Sequence, residues 1–354
     1  MPIFDQGYQH WQGALSGHAW RWLAITRQGV RAQIKNRRTK WLVATAFMPA
    51  LFLVAALVFW GLLEQQSSLL APLMFFIQSL PEELRAGPKA YRTSFWTVAF
   101  DIFFQISTFF SMLLVLNVGP DLISQDLRFN AMPLYFSRPL RRLDYFLGKL
   151  GVIGVFLAAV TIGPVLFAYV LGVAFSLDAT VVRDTGRLLA AAVGYGAIVV
   201  ASAGTLMLAI SSLTRSSRFV GAMWIGFWVL SNMGAGTLMM TVRQDWCPLV
   251  SYTGNLERVR QAMLDTDSAR DQFIKLGRAG LDAGREAAQP RPRIFPFLRR
   301  RRREPPPPPP PPPPELAGLL VKPPWTWSAG VLAGLFVVSA WTLATRVKSL
   351  DRLR

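Results

Sequence analysis

Six stretches of this sequence are apolar and long enough to cross a bilayer, and that property limits the folds open to the chain more than any other. Crossing the hydrocarbon core takes about 20 residues at about 1.5 Å rise each. Trp41–Leu63, Ile102–Pro120, Leu150–Leu177, Leu188–Thr214, Phe219–Val242 and Trp325–Thr345 all qualify. A backbone in lipid must satisfy its own N–H and C=O groups, so each run is expected to be helical. The expected fold is an all-α membrane protein: a six-helix transmembrane bundle with an amphipathic N-terminal interfacial helix and a long loop before the last span. The second run could begin near Phe95, which would put Asp101 inside its outer end. Leu69–Leu80 contains Pro72 and stops at Pro81. It is too short to cross and is expected to lie on the membrane or dip into it.

Charge sets the orientation. The chain carries 38 Lys and Arg against 20 Asp and Glu. Such a basic balance first suggests nucleic acid, but the cations sit beside apolar runs, as they do at bilayer surfaces, so no nucleic-acid partner is expected. With the N-terminus inside, the cytoplasmic segments hold 7, 5, 2 and 4 basic residues and the short outer loops 3 and 2. The expectation is therefore a multi-pass protein of the cell (plasma or inner) membrane with both termini cytoplasmic. Residues 243–324 hold 15 basic residues yet would lie outside. Long loops translocate largely regardless of charge, so six spans stand. The first 40 residues are too polar and basic for a signal peptide, and the first span is expected to direct insertion.

The organisation expected is a cytoplasmic N-terminus (1–40), helices 1–5 (41–242) with a cytoplasmic loop at 121–149, an extracytoplasmic insert (243–324), helix 6 (325–345) and a cytoplasmic tail (346–354). Trp20–Lys40 reads as a basic amphipathic helix, with Trp22, Ile25, Val30 and Ile34 along one side, suited to anionic membrane lipids. In the insert, Asn255–Ala288 reads as helical, with Leu256, Val259, Met263 and Leu264 on one face. Arg299–Arg303 and the decaproline Pro305–Pro314 follow. The latter is a stiff rod of about 31 Å and reads as a spacer. The single cysteine, Cys247, forms no internal disulfide and is expected to face outward.

Little here supports catalysis. No Gly-x-x-x-x-Gly-Lys-Ser/Thr loop is present to hold nucleotide phosphates. The only histidines, His10 and His18, precede the first span, so no membrane-embedded Ser/His or metal constellation is available. The chain is expected to be no enzyme, with no cofactor or metal of its own. Asp101, Asn117 and Asn232 are the polar candidates within the spans; Asn232 reads as interhelical glue, and Asn117 as either glue or a functional group. Pro49 and Pro164 are expected to kink the first and third spans. No row of charges lines a pathway, which favours a large, amphipathic or lipid-like cargo over a small ion.

The distinctive segment is Asp121–Lys149, DLISQDLRFNAMPLYFSRPLRRLDYFLGK, between the second and third spans. Asp121 suits the start of a short helix, Pro133 ends it, and Ser137 with Pro139 sets a second helical start running into the third span. Arg141, Arg142 and Lys149 are accounted for by snorkelling to headgroups. The acidic pair Asp121 and Asp126, the run Tyr135-Phe136-Ser137-Arg138-Pro139-Leu140, and Asp144-Tyr145 with Gly148-Lys149 resemble the first large cytoplasmic loop of ABC-2-type permeases, the membrane subunits of one class of ATP-driven exporters. That resemblance implies coupling to a separate ATPase through Asp121, Asp126, Arg128, Tyr135, Arg138, Pro139 and Asp144. It further implies that ATP is bound by the partner, and that a second permease subunit, identical or homologous, completes the pathway. The alternative is a non-transporting membrane scaffold or anchor that binds partners through its Pro-rich arm.

Overall fold

A computed structural model describes residues 20–78, 81–131, 135, 140–242, 244–276 and 323–351. The expectations for Arg138, Pro139, the Arg299–Arg303 run, the decaproline and the first 19 residues lie outside the described residues. Six helical stretches are long and apolar enough to cross a membrane: Arg37–Glu64, Pro88–Arg128, Arg142–Ser176, Thr180–Leu213, Ser217–Thr241 and Trp325–Arg346. Each contains or closely matches one of the apolar runs, and no strand occurs among the described residues. The chain is an all-α membrane protein.

The fourth span is the axis of the bundle. Its most apolar stretch is 61% buried, against 17% for the fifth, which therefore sits at the edge. Small residues let neighbours close in on one another. A Cβ on Gly172 of the third span would stand 2.8 Å from Trp96 of the second and 3.1 Å from Leu57 of the first. Around that contact Trp96, Phe100, Phe103 and Phe104 are fully buried, with Tyr169 and Tyr195 edge-on to Trp96 and Phe104.

The prolines act as expected. The first span breaks at Phe47, just before Pro49, and the third at Thr161, just before Pro164. Pro164 has no N–H to give the Val160 carbonyl. The Ser107 hydroxyl of the second span donates to that carbonyl at 3.0 Å, so the kink leaves no unpaired acceptor.

Three sequence expectations are corrected. The N-terminal helix spans Arg21–Lys35 and ends there because Asn36 caps a new helix, accepting the Arg38 N–H at 3.0 Å. Instead of lying against lipid alone, it docks on the start of the third span. Thr26 is buried and donates to the Gly148 carbonyl at 3.0 Å, and a Cβ on Gly148 would stand 2.7 Å from Ile25. Arg27, Arg31 and Lys35 stay exposed, and so does Ile34 of the apolar side.

The second correction concerns the insert. Beyond Thr241 the chain doubles back into the bundle through the turn Cys247–Val250 and the helix Tyr252–Leu264. The Ser251 and Thr253 hydroxyls both donate to Asn232 Oδ1 at 2.6 Å. Asn232 lies about 13 Å below the end of the fifth span, at 1.5 Å per residue from Thr241. Tyr252 reaches deeper, its hydroxyl 3.0 Å from Ser202 and its ring against Trp224 and Phe227. Leu256, Val259 and Leu264 are buried as their spacing implies, but inside the bundle. The third correction follows from the second: Cys247 is buried against the fifth span and faces no solvent.

Candidate functional site

The loop after the second span forms a braced knuckle. The helix Arg92–Val118 passes through Gly119 into a second helix, Pro120–Arg128. Gly119 is required by space, since a Cβ there would collide with the Met207 side chain of the fourth span. Pro120 takes the first helical position, where a missing N–H costs nothing. Two N–H groups of this helix are met from across the fold. Ser211 of the fourth span accepts from the N–H of Ile123 at 3.2 Å and of Ser124 at 3.0 Å, and its hydroxyl donates to the Pro120 carbonyl at 2.9 Å. The Ser124 hydroxyl in turn lies 2.9 Å from that of Ser217, at the start of the fifth span. Two spans thus hold the knuckle helix by its first turn.

A charged clasp closes the other side. Asp126 Oδ2 accepts from the Tyr145 hydroxyl at 2.6 Å and pairs with Lys149 Nζ at 2.7 Å. Lys149 Nζ lies 5.6 Å from the Tyr135 ring centroid and 5.4 Å from that of Tyr145. The Lys149 and Asp126 side chains are only 11% and 14% exposed, so the pair is largely removed from water. Burial, and after it the Asp126 carboxylate, push the Tyr135 phenol above its ordinary value, so it stays neutral beside Lys149. Lys149, assigned from sequence to lipid headgroups, is internal.

The structure thus separates the sequence candidates. Asp126 and Tyr135 belong to the clasp and turn inward. Asp144 accepts the Arg141 N–H at 3.0 Å, which caps the third span. Asp121 stands half-buried in the first turn of the knuckle helix, where the helix dipole favours a carboxylate. Arg128 is exposed at the far end, its guanidinium 5.5 Å from the Phe129 ring. Phe129 is 71% exposed, and Asn130 turns the chain at φ 51°. Sequence reasoning missed Phe129. Its signal was an aromatic side chain beside a cation in a loop otherwise built of caps and turns.

At the opposite end of the bundle Arg92 staples three segments together. Its guanidinium bonds Glu64 Oε1 and Oε2 at 2.7 and 2.6 Å and Asp178 at 3.2 Å, with Arg92 and Glu64 each 2% exposed. Trp60 also donates to Glu64, at 2.9 Å. The Thr180 N–H, Lys89 and Arg92 hold the Asp178 carboxyl well below the usual carboxylate range.

Between the two ends lies a second buried charge centre. Asp101 accepts from Arg260 Nε at 2.8 Å and from Arg270 Nη2 at 2.5 Å. Asp101 and Arg260 are 2% and 3% exposed. Asp101, the charged candidate of the second span, thus meets its cation on the helix that doubles back. Asn117 behaves as glue, donating to Thr39 at 2.8 Å. No cluster of His, Cys, Asp and Glu suited to a metal occurs among the described residues.

A family model described as ABC-2 family transporter protein matches residues 23–252, from the N-terminal helix through the fifth span to the start of the helix that doubles back. No curated protein matches the chain.

Proposed function

The chain belongs to the ABC-2 family of transporter proteins, and on that premise we propose that it is the permease subunit of an ATP-driven exporter, forming the translocation pathway and taking its energy from a separate ATPase. The observation that carries the reading is the knuckle Pro120–Arg128. It is bound to the fourth and fifth spans by Ser211 and Ser217, yet presents Arg128 and Phe129 outward. A partner pressing on that tip would move the ends of two spans at once. Tip residues and Asp121 contact the ATPase, while Asp126, Tyr135 and Asp144 hold the tip in shape; the family resemblance adds Arg138 and Pro139 to the coupling residues. The knuckle end is cytoplasmic, by the count of basic residues. A second permease subunit, identical or homologous, lies across the pathway in the cell membrane. ATP is bound by the partner, and this chain carries no cofactor.

The test is to purify the chain in mild detergent and identify what accompanies it. An ATPase with a phosphate-binding loop is expected, and the chain freed of it should hydrolyse no ATP. Phe129→Ala and Arg128→Glu should each weaken ATPase retention, by about 30-fold if Phe129 is an aromatic anchor worth about 2 kcal/mol. Thermal stability should stay unchanged, since neither side chain is buried. Full retention in both variants would move the contact elsewhere, and absence of any ATPase would favour the scaffold reading.

A further inference from the structure

Where the N-terminal helix gives way to the first span, a groove of about 730 Å³ opens between that span and the end of the second, lined by Arg37, Arg38, Trp41, Leu42, Thr45 and Asn117. Its charge is of one sign. Arg37 and Arg38 are exposed, neither forms an ion pair among the described residues, and no acid lines the groove. Asp121, one turn past Asn117, lies outside the lining, while the exposed Lys35 and Lys40 flank the two arginines. Both arginines open a helix with no acid in its first turn, against the sense that the helix dipole favours, and an anion beside them would offset both. The rest of the groove is apolar. The Thr45 hydroxyl donates to the Trp41 and Leu42 carbonyls at 3.0 Å, so it is spent on its own helix.

We propose that this groove holds an anionic phospholipid of the adjoining leaflet, with its phosphate on Arg37 and Arg38 and an acyl chain laid past Trp41. A guanidinium fork matches phosphate oxygens, and basic hollows between membrane helices take anionic headgroups in this way. The volume lies within the roughly 300–1,000 Å³ of sites that hold drug-sized ligands, which gives room for a headgroup and the start of its chains. What lies beyond the groove favours a lipid over a free anion. Trp41, Met48 and Phe52 are exposed at i, i+7 and i+11, so they form a track of about 16 Å along one face of the first span. That is the depth of one leaflet, half of a hydrocarbon core about 30 Å thick. Trp41 at its head is the side chain suited to headgroup level. The site is independent of the permease reading.

Phosphatidylglycerol and phosphatidylcholine are titrated into the full chain in dodecyl maltoside, and the rise in unfolding temperature with lipid gives an apparent affinity. Phosphatidylglycerol should stabilise the chain at concentrations where phosphatidylcholine does not. The double variant Arg37→Gln, Arg38→Gln should weaken phosphatidylglycerol by about 30-fold, the worth of two cations at an anionic surface. Arg27→Gln with Arg31→Gln removes the same charge from the exposed face of the N-terminal helix, about 9 and 15 Å along the chain from Arg37, and should weaken it by less than about threefold because salt screens that distance. Thr45→Trp, at an exposed position, fills the groove and should abolish the preference with every charge in place; it decides the matter if the arginine variant does not insert. Equal losses in the two double variants would overturn the proposal in favour of a diffuse basic surface. Unchanged affinity in Thr45→Trp would place the lipid elsewhere. Matching stabilisation by inorganic phosphate alone would make this a site for a free anion. Loss of a copurifying ATPase from the Arg37, Arg38 variant, with lipid affinity unchanged, would make it a protein contact.

Discussion

Replacing Asp126 by Ala removes two bonds at once, the one from the Tyr145 hydroxyl at 2.6 Å and the one from Lys149 at 2.7 Å. Lys149 is then left charged in a site where 11% of its side chain meets solvent. Stripping a buried charge of its partner typically costs about 3–5 kcal/mol. The clasp is not fully dry, and a lysine stem can carry its ammonium toward the headgroups, so about 2–3 kcal/mol is expected here. Lys149→Met keeps the stem and leaves Asp126 its bond from Tyr145, for a cost of about 1 kcal/mol. The double variant should cost less than the two singles together, by about 1–2 kcal/mol. Reversible unfolding in mixed micelles of dodecyl maltoside and sodium dodecyl sulfate gives all four corners of the cycle. Additivity within about 0.5 kcal/mol would refute the clasp, because residues that do not meet behave that way.

Three further outcomes are expected. Gly119→Leu should lower the yield of folded chain by driving a side chain into Met207, whereas Leu at Gly226, where a Cβ meets nothing within 4 Å, should be tolerated. Comparing the two by size-exclusion profile checks the close approach. Arg92→Leu leaves Glu64 buried without its cation and should cost about 3–5 kcal/mol in the same micellar unfolding assay; a loss under 1 kcal/mol would mean the far-end staple is solvated. Native Cys247 should resist a membrane-impermeant maleimide, while in a Cys247→Ser background a cysteine at Leu177, 82% exposed, should label in intact cells and one at Leu143, 70% exposed, only after the cytoplasm is opened. The reverse pattern would invert the orientation.

The six spans were legible because hydropathy is a local property, readable wherever apolar residues run on for the thickness of a bilayer. The kinks were legible for a similar reason, since Pro49 and Pro164 act on their own helices. What escaped depends on partners far away in sequence. Arg260 sits in a mixed helix that reads as amphipathic and solvated; nothing local reveals that Asp101, 159 positions earlier, waits for it. Lys149 at a span boundary reads as a headgroup anchor until Asp126 is seen beside it. The re-entry itself was hidden because Tyr252–Leu264 carries too many polar groups for any hydropathy window, and only the hydroxyls on Asn232 show how deep it begins.

The fifth span is fastened toward its two ends, to the knuckle through Ser217 and to the doubled-back helix through Asn232. Those points are about 22 Å apart along the helix, at 1.5 Å per residue. Between them Trp224 is fully buried and donates to the Met112 carbonyl of the second span at 3.2 Å, so the helix has the properties of a lever with its fulcrum near mid-shaft. A tilt of about 10° about that fulcrum carries each end roughly 2 Å. A push at the knuckle tip would thus arrive, reversed in direction, on the helix that carries Arg260.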